Sequence, residues 1–307
     1  MFRETMFTTS RLLAIAGLTT ILISAQPPQG PGGGQPGRGG PPAAQATQQI
    51  KPGLFVITGA GGNTTVRVTP EGLIVVDTKN LGDQFYNALA EQIKAISPLP
   101  VKFVVVTHHH QDHCGNIQKF LDAGATVVAH ENVKASLVTY APQQGKPANP
   151  SVTYTKDYTI KLGGVEADVH YYGRAHTSGD SFVYFPDLKV LSGGDSIVGA
   201  APNVDFPFGG SAVEWVKVLD AVSELDFDTV VPGHSAPGQT MMTRADFDTF
   251  KTKLDTVVSR ARELVKNGTP KDELLAKIKT DDIGWNLTGP QWNNPQRLDA
   301  FYAELSK

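Results

Sequence analysis

Residues 102–107 (KFVVVT) are almost all apolar and β-branched, and the chain runs from them directly into His108-His109-His110-Gln111-Asp112-His113. A strand without polar alternation has both faces covered, so this run requires a sheet packed between two other layers. The histidine cluster then falls at the carboxyl end of a buried strand, where open α/β sheets build their ligand sites. His108 and His110 lie two residues apart and project to the same side of an extended backbone, within reach of one ion. His109 points away. Asp112 and His113 sit just before a helix read over 116–123, and a turn there aims both at a second ion. Taken alone, three consecutive histidines also read as a polar loop.

Two later segments weigh against that bland reading. Gly173-Arg174-Ala175-His176-Thr177-Ser178-Gly179-Asp180 places a histidine in a glycine-flanked loop between strands, and Val231-Pro232-Gly233-His234 places another after a short apolar strand. Leu191-Ser192-Gly193-Gly194-Asp195 ends a strand in a carboxylate. Each candidate stands at a strand end where glycine permits close backbone approach, and six of the chain's 8 histidines lie in these segments. The surrounding pattern is mixed. Strands are read at Leu54–Thr58, Thr64–Thr69, 73–77, 126–129, two or three within 153–172, 181–185, 189–192 and Thr229–Val231. Helical spacing appears at Asp83–Ile96, where Phe85, Leu89, Ile93 and Ile96 share a face, and again at 212–225, Arg244–Lys266 and 271–279. Gly59-Ala60-Gly61-Gly62 leads to a strand and not a helix, so it reads as a mobile flap rather than a phosphate loop.

His-x-His-x-Asp-His after an apolar strand, then Gly-x-x-His-Thr-x-Gly-Asp, Gly-Asp and Pro-Gly-His, together with the hairpin TTVRVTPEGLIVVDT, resemble the signature of the metallo-β-lactamase superfamily over roughly residues 50–240. The resemblance implies an α/β (α+β) fold, a four-layer αββα sandwich with a metal site at one edge between two sheets. It implies that His108, His110 and His176 hold one ion, Asp112, His113 and His234 a second, and that Asp195 bridges them. Nitrogen and oxygen donors suit two Zn2+. Iron-dependent redox relatives usually carry Glu at the position of His110, which favours zinc and hydrolysis; Mn2+ or Fe2+ is the alternative occupant. The implied mechanism has a metal-bridging hydroxide attack the carbonyl of an ester, lactone, lactam or thioester, with Asp112 as the catalytic residue orienting it. Two divalent ions with two carboxylates and a hydroxide leave about one positive charge, so an anionic small-molecule substrate is expected.

Two other readings stay open: a metallo-β-lactamase acting on β-lactam antibiotics, and a non-catalytic metal-binding module. The β-lactamases with Cys where this chain has Asp195 are disfavoured, and Cys114, the only cysteine, reads as a small buried side chain. Asp180 reads as fixing its own loop and Trp215 as core. Neither Ser-x-x-Lys nor Gly-x-Ser-x-Gly occurs, which excludes the serine routes those motifs mark. A net charge of −3 with no basic arm gives no footprint for nucleic acid. Arg3 and Arg11 precede an apolar run from Leu12 to Ala25 ending in small residues, which reads as a cleaved export signal. A Pro/Gly/Gln-rich tract over 26–49 reads as a disordered linker. The expected domains are signal 1–25, linker 26–49 and hydrolase 50–307, in the periplasm or secreted, with no membrane contact after cleavage.

Overall fold

In a computed structural model that describes residues 44–307, two sheets stack face to face. The expected signal and most of the expected linker fall outside the described residues. The first sheet has the order β1 (Ala46–Lys51), β2 (Leu54–Thr58), β3 (Thr64–Thr69), β4 (Gly72–Val76), β5 (Val101–Val106), β6 (Thr126–His130) and β7 (Val152–Tyr154). Its first four strands are antiparallel and β4 through β7 run parallel. The second sheet runs from β8 (Asp157–Leu162) through β9 (Val165–His170), β10 (Phe182–Phe185), β11 (Val190–Ser192) and β12 (Thr229–Val231) to β13 (Met242–Thr243). Only its β11–β12 pair is parallel.

Three apolar clusters define four layers. Leu54, Val56, Ile74, Val76, Val105 and Val128 of the first sheet meet Ile160, Val169, Val183, Phe185 and Val231 of the second between the sheets. The alternate residues Val66, Val75, Val104, Val106 and Val127 face outward against helices α1 (Asp83–Ile96), α3 (Ile117–Asp122) and α4 (Glu131–Thr139). The outer face of the second sheet is covered by α5 (Ala212–Val222), α6 (Arg244–Lys266), α7 (Lys271–Lys277) and α8 (Pro295–Leu305). Apolar residues on both faces of β4 and β5 are what a strand buried in an αββα sandwich requires.

Several boundaries differ from the sequence reading for local reasons. The domain starts before Ile50: β1 begins at Ala46 and pairs with β2, the backbone ladder supplying the order that its exposed side chains cannot. β5 ends at Val106, because the Thr107 amide turns to the Asp77 carboxylate at 2.8 Å. α6 spans the expected range, its start set by a capping box in which Thr243 and Asp246 satisfy each other's backbone amides. α4, with only Val133 and Leu137 buried, carries too weak a stripe to be read, whereas α8 has a legible start in its Asn294 cap and Pro295.

Candidate metal centre

The parallel strands bring the donors together. β5 delivers His108 and His110, and His110 keeps extended backbone (φ −65°, ψ 140°) before a single helical turn, α2 (Gln111–Cys114), which carries Asp112 and His113. His176 lies in the loop after β9, Asp195 in a 3-10 turn just after β11, and His234 beyond β12. Asp195 and His234 thus follow the second sheet's parallel pair as the His108 cluster follows the first sheet's, so both halves converge at their carboxyl ends.

The seven expected residues form two adjoining groups, His108–His110–His176–Asp195 and Asp112–His113–His234, each with donor atoms within 4.8 Å of one another. In the first, His110 Nδ1 is 3.1 Å from His108 Nε2 and 2.9 Å from His176 Nε2. In the second, His234 Nε2 is 3.3 Å from His113 Nε2 and 3.1 Å from Asp112 Oδ2. Asp195 reaches into both, with Oδ2 3.7 Å from His176 Nε2 and Oδ1 3.2 Å from His113 Nε2. Donors about 2.0–2.1 Å from a shared tetrahedral ion stand roughly 3.3 Å apart, so these separations fit the edges of two coordination shells. Asp195 Oδ1 is buried with no hydrogen-bond partner, a costly state that a cation relieves.

Four histidines are held by the nitrogen that faces away from the donor groups, which fixes ring and tautomer. His113 Nδ1 donates to Asp77 Oδ2 (2.7 Å), and the Thr107 hydroxyl donates to the same oxygen (2.8 Å) while lying 3.0 Å from His108 Nδ1. His176 Nδ1 donates to the Asn203 carbonyl (2.6 Å) and His110 Nε2 to Asp205 Oδ2 (2.7 Å). Asp77 and Asp205 were invisible as site residues in the sequence: a carboxylate ending a strand or lying in a loop gains its role only from partners 36 and 95 positions away. Asp77→Ala is expected to weaken metal binding by the Asp112–His113–His234 group about 10–100-fold. Competition against a chelator of known affinity measures it, and an unchanged second equivalent would defeat the assignment.

The charges are tightly coupled. Burial, then the neighbouring imidazoles, pushes His108 well below its ordinary value, and burial with His110 lowers His176. Burial also opposes protonation of His110, His113 and His234, yet the carboxylates outweigh it and raise all three: Asp205 for His110, Asp195, Asp112 and Asp77 for His113, and Asp195 and Asp112 for His234. Asp112 is correspondingly depressed to about 2, since His113 and His234 overcome its desolvation. Lys79, fully buried and held in left-handed backbone (φ 66°), is driven down to about 7 by burial against the pull of Asp77 and Asp112.

That lysine corrects the expectation of a mobile flap at 59–62. Its ammonium donates to the carbonyls of Ile57 and Gly62, Gly62 N donates to the Asp112 carbonyl (3.0 Å), and Asn63 N to the Gly233 carbonyl (2.7 Å). The loop is therefore a tethered wall. A Cβ on Gly62 would stand 2.1 Å from His113 Cε1, so only glycine allows this approach. The remaining assignments follow their expected settings. His109 belongs to neither of the two donor groups; it packs on Phe208 and Tyr140 at 4.5 and 4.9 Å between ring centroids, with Nε2 3.7 Å from Asp205 Oδ2. Asp180 accepts from Thr177 N and Oγ1, fixing its loop, while Cys114 and Trp215 are buried in the core.

Comparison with known proteins returns one family over this region: the profile of the metallo-beta-lactamase superfamily matches residues 57–234. The chain is 26% identical over 199 residues to a metallo-beta-lactamase type 2 of Elizabethkingia meningoseptica, covering 61% of this chain and 77% of that one. It is 24% identical over 266 residues to the 2,4-dinitroanisole O-demethylase subunit alpha of Nocardioides sp. (strain JS1661), covering 85% and 77%. Among solved structures, the inverting sec-alkylsulfatase Pisa1 from Pseudomonas sp. superposes with a TM-score of 0.65 at 19% identity, over 85% of this chain and 50% of that one.

Proposed function

The chain belongs to the metallo-beta-lactamase superfamily, a family mostly of hydrolases, and on that premise we propose that it is a binuclear zinc hydrolase of small molecules with carbonyl ester, lactone, lactam or thioester bonds. The observation that carries this reading is the convergence of seven nitrogen and oxygen donors at coordination-edge spacing around the unpartnered Asp195 Oδ1. When bound, a pair of ions there supplies Lewis acidity toward a carbonyl oxygen and a nucleophile from water at neutral pH. Asp112, with Oδ2 committed toward His234, has its second oxygen left to orient the attacking water and take its proton. Asp77, Thr107, Asn203 and Asp205 hold the imidazoles so that little reorganisation accompanies turnover. The wall at 59–62 narrows access from its side of the donors.

The test begins with metal analysis of the purified chain. It continues with a panel of nitrocefin, an aliphatic lactone, an aryl ester and a thioester, each in anionic and neutral forms. A sec-alkyl sulfate and an aryl methyl ether are included because relatives matching 85% of this chain carry names for such chemistry. Two zinc equivalents and turnover of a carbonyl substrate support the reading. Zinc without turnover of any probe leaves a metal-binding module, turnover of nitrocefin alone makes it a β-lactamase, and no bound metal retires the reading.

Metal loading is expected to depend steeply on pH. His110, His113 and His234 hold protons above the ordinary histidine value near 6.5 because of the carboxylates beside them. Each must be neutral to ligate, so binding releases protons, and affinity drops as pH falls through these raised values. Each linked proton contributes about tenfold in affinity per pH unit. Zinc titrations carried down in pH should therefore weaken as pH falls through these raised values; a flat profile overturns the coupling.

We also propose that the protein is exported, on the strength of Arg3, Arg11 and the apolar run ending at Ala25. No helix among the described residues is long and apolar enough to cross a membrane. A mature N-terminus following Ala25 in a periplasmic or secreted fraction supports export, and an intact Met1 in the cytosol refutes it.

A further inference from the structure

The loop segment from Pro202 to Asp205 is gripped from two sides. On its inner side the Asn203 carbonyl accepts from His176 Nδ1 (2.6 Å), Asp205 N donates to the His176 carbonyl (2.8 Å), and Asp205 Oδ2 accepts from His110 Nε2 (2.7 Å). These two residues thus supply the outward partners for two of the three histidines in the first donor group. On its outer side the partners come from the C-terminal segment. Trp292 Nε1 donates to the Pro202 carbonyl (2.9 Å), and the Arg297 guanidinium donates to the Val204 carbonyl (2.9 Å) and to Asn203 Oδ1. Its other terminal nitrogen stands 4.0 Å from Asp205 Oδ1, the oxygen not used by His110.

We propose that Arg297 is a positioning residue for the metal centre: anchored on α8, it holds Asn203 and Asp205 where they orient His176 and His110. The inference rests on reading the donor groups as a metal site. α8 lies beyond residue 234, where the family match ends. Docking of α8 does not require the guanidinium, because Leu298, Phe301 and Leu305 already bury its apolar face. Arginine suits the role because its planar group donates from one terminal nitrogen to a carbonyl and an amide oxygen while its other terminal nitrogen faces a carboxylate at 4.0 Å, an arrangement a lysine ammonium on its flexible stem does not fix.

The test uses the full chain stripped of metal and titrated with Co2+, following the visible absorption of the bound ion, chelator competition and thermal melting. Wild type is compared with Arg297→Met, Arg297→Lys and Ile160→Ala; the last truncates the core at the far edge of the second sheet. Arg297→Met is expected to weaken the cobalt equivalent held by His108, His110, His176 and Asp195 about 10–100-fold and to alter its spectrum. Arg297→Lys, which restores the charge facing Asp205, should recover part of the loss, and it carries the comparison alone if the Met variant does not fold. Ile160→Ala should lower the melting temperature and leave the spectrum as in wild type. Cobalt binding to Arg297→Met, or to Arg297→Lys if that variant stands alone, with wild-type affinity and spectrum overturns the inference while the metal reading stands. A wild-type chain that binds no cobalt overturns both.

Discussion

Asp112→Ala is expected to lower kcat by about 10²–10⁴-fold, the range that a positioned proton acceptor contributes, and to reduce bound zinc from two equivalents toward one. The two effects have one origin. Asp112 Oδ2 lies 3.1 Å from His234 Nε2 and 3.8 Å from His113 Nε2, so its removal leaves the second group two imidazoles and whatever share of Asp195 it can claim. The first group keeps all four of its own donors. Metal content per chain, measured beside turnover of the best substrate from the panel, separates the outcomes. Full activity with two zinc ions would remove Asp112 from the mechanism, and loss of both ions would show that the groups are not separable.

Gly233→Ala should be more damaging than its size suggests. A Cβ at Gly233 would stand 2.1 Å from Asp195 Oδ1, 2.5 Å from the Gly194 carbonyl carbon and 2.6 Å from Asp195 N. Two of these three contacts are backbone, so no rotamer change relieves them. The same glycine donates its amide to the carbonyls of Gly194 and Ile197 at 2.8 and 2.9 Å, which locks the His234 loop to the Asp195 turn. Overpacking a dense site costs typically 1–3 kcal/mol, and relief requires moving the one carboxylate shared by both groups. The expected result is a lower melting temperature together with loss of both metal equivalents. A variant that melts early but binds two zinc ions normally would show that Asp195 is not the shared ligand.

The seven residues that converge were visible in the sequence because each has a local cause. His108 and His110 follow an uninterrupted apolar strand, His176 lies in a glycine-flanked loop between strands, and Asp195 and His234 each follow a short strand just after a glycine. Helices with a strong stripe and chemical punctuation, α1 and α6, were legible to their ends. What could not be read depends on neighbours distant in sequence. Asp205 looks like any loop carboxylate until His110 is placed 2.7 Å from it, and Lys79 looks like a surface lysine until the carbonyls of Ile57 and Gly62 close around it. The glycines at 59–62 misled for a related reason: they suggest freedom, whereas the close approach to His113 they permit is what holds the segment down.

One arrangement has an effect reaching past the chemistry. His108, His110, Asp112 and His113 hang from one sheet, while His176, Asp195 and His234 hang from the other. With a lone cysteine the chain can make no covalent tie of its own between these halves. Ions seated at the seam would act as clasps, so the supply of metal would govern how long each molecule lasts as well as how fast it works.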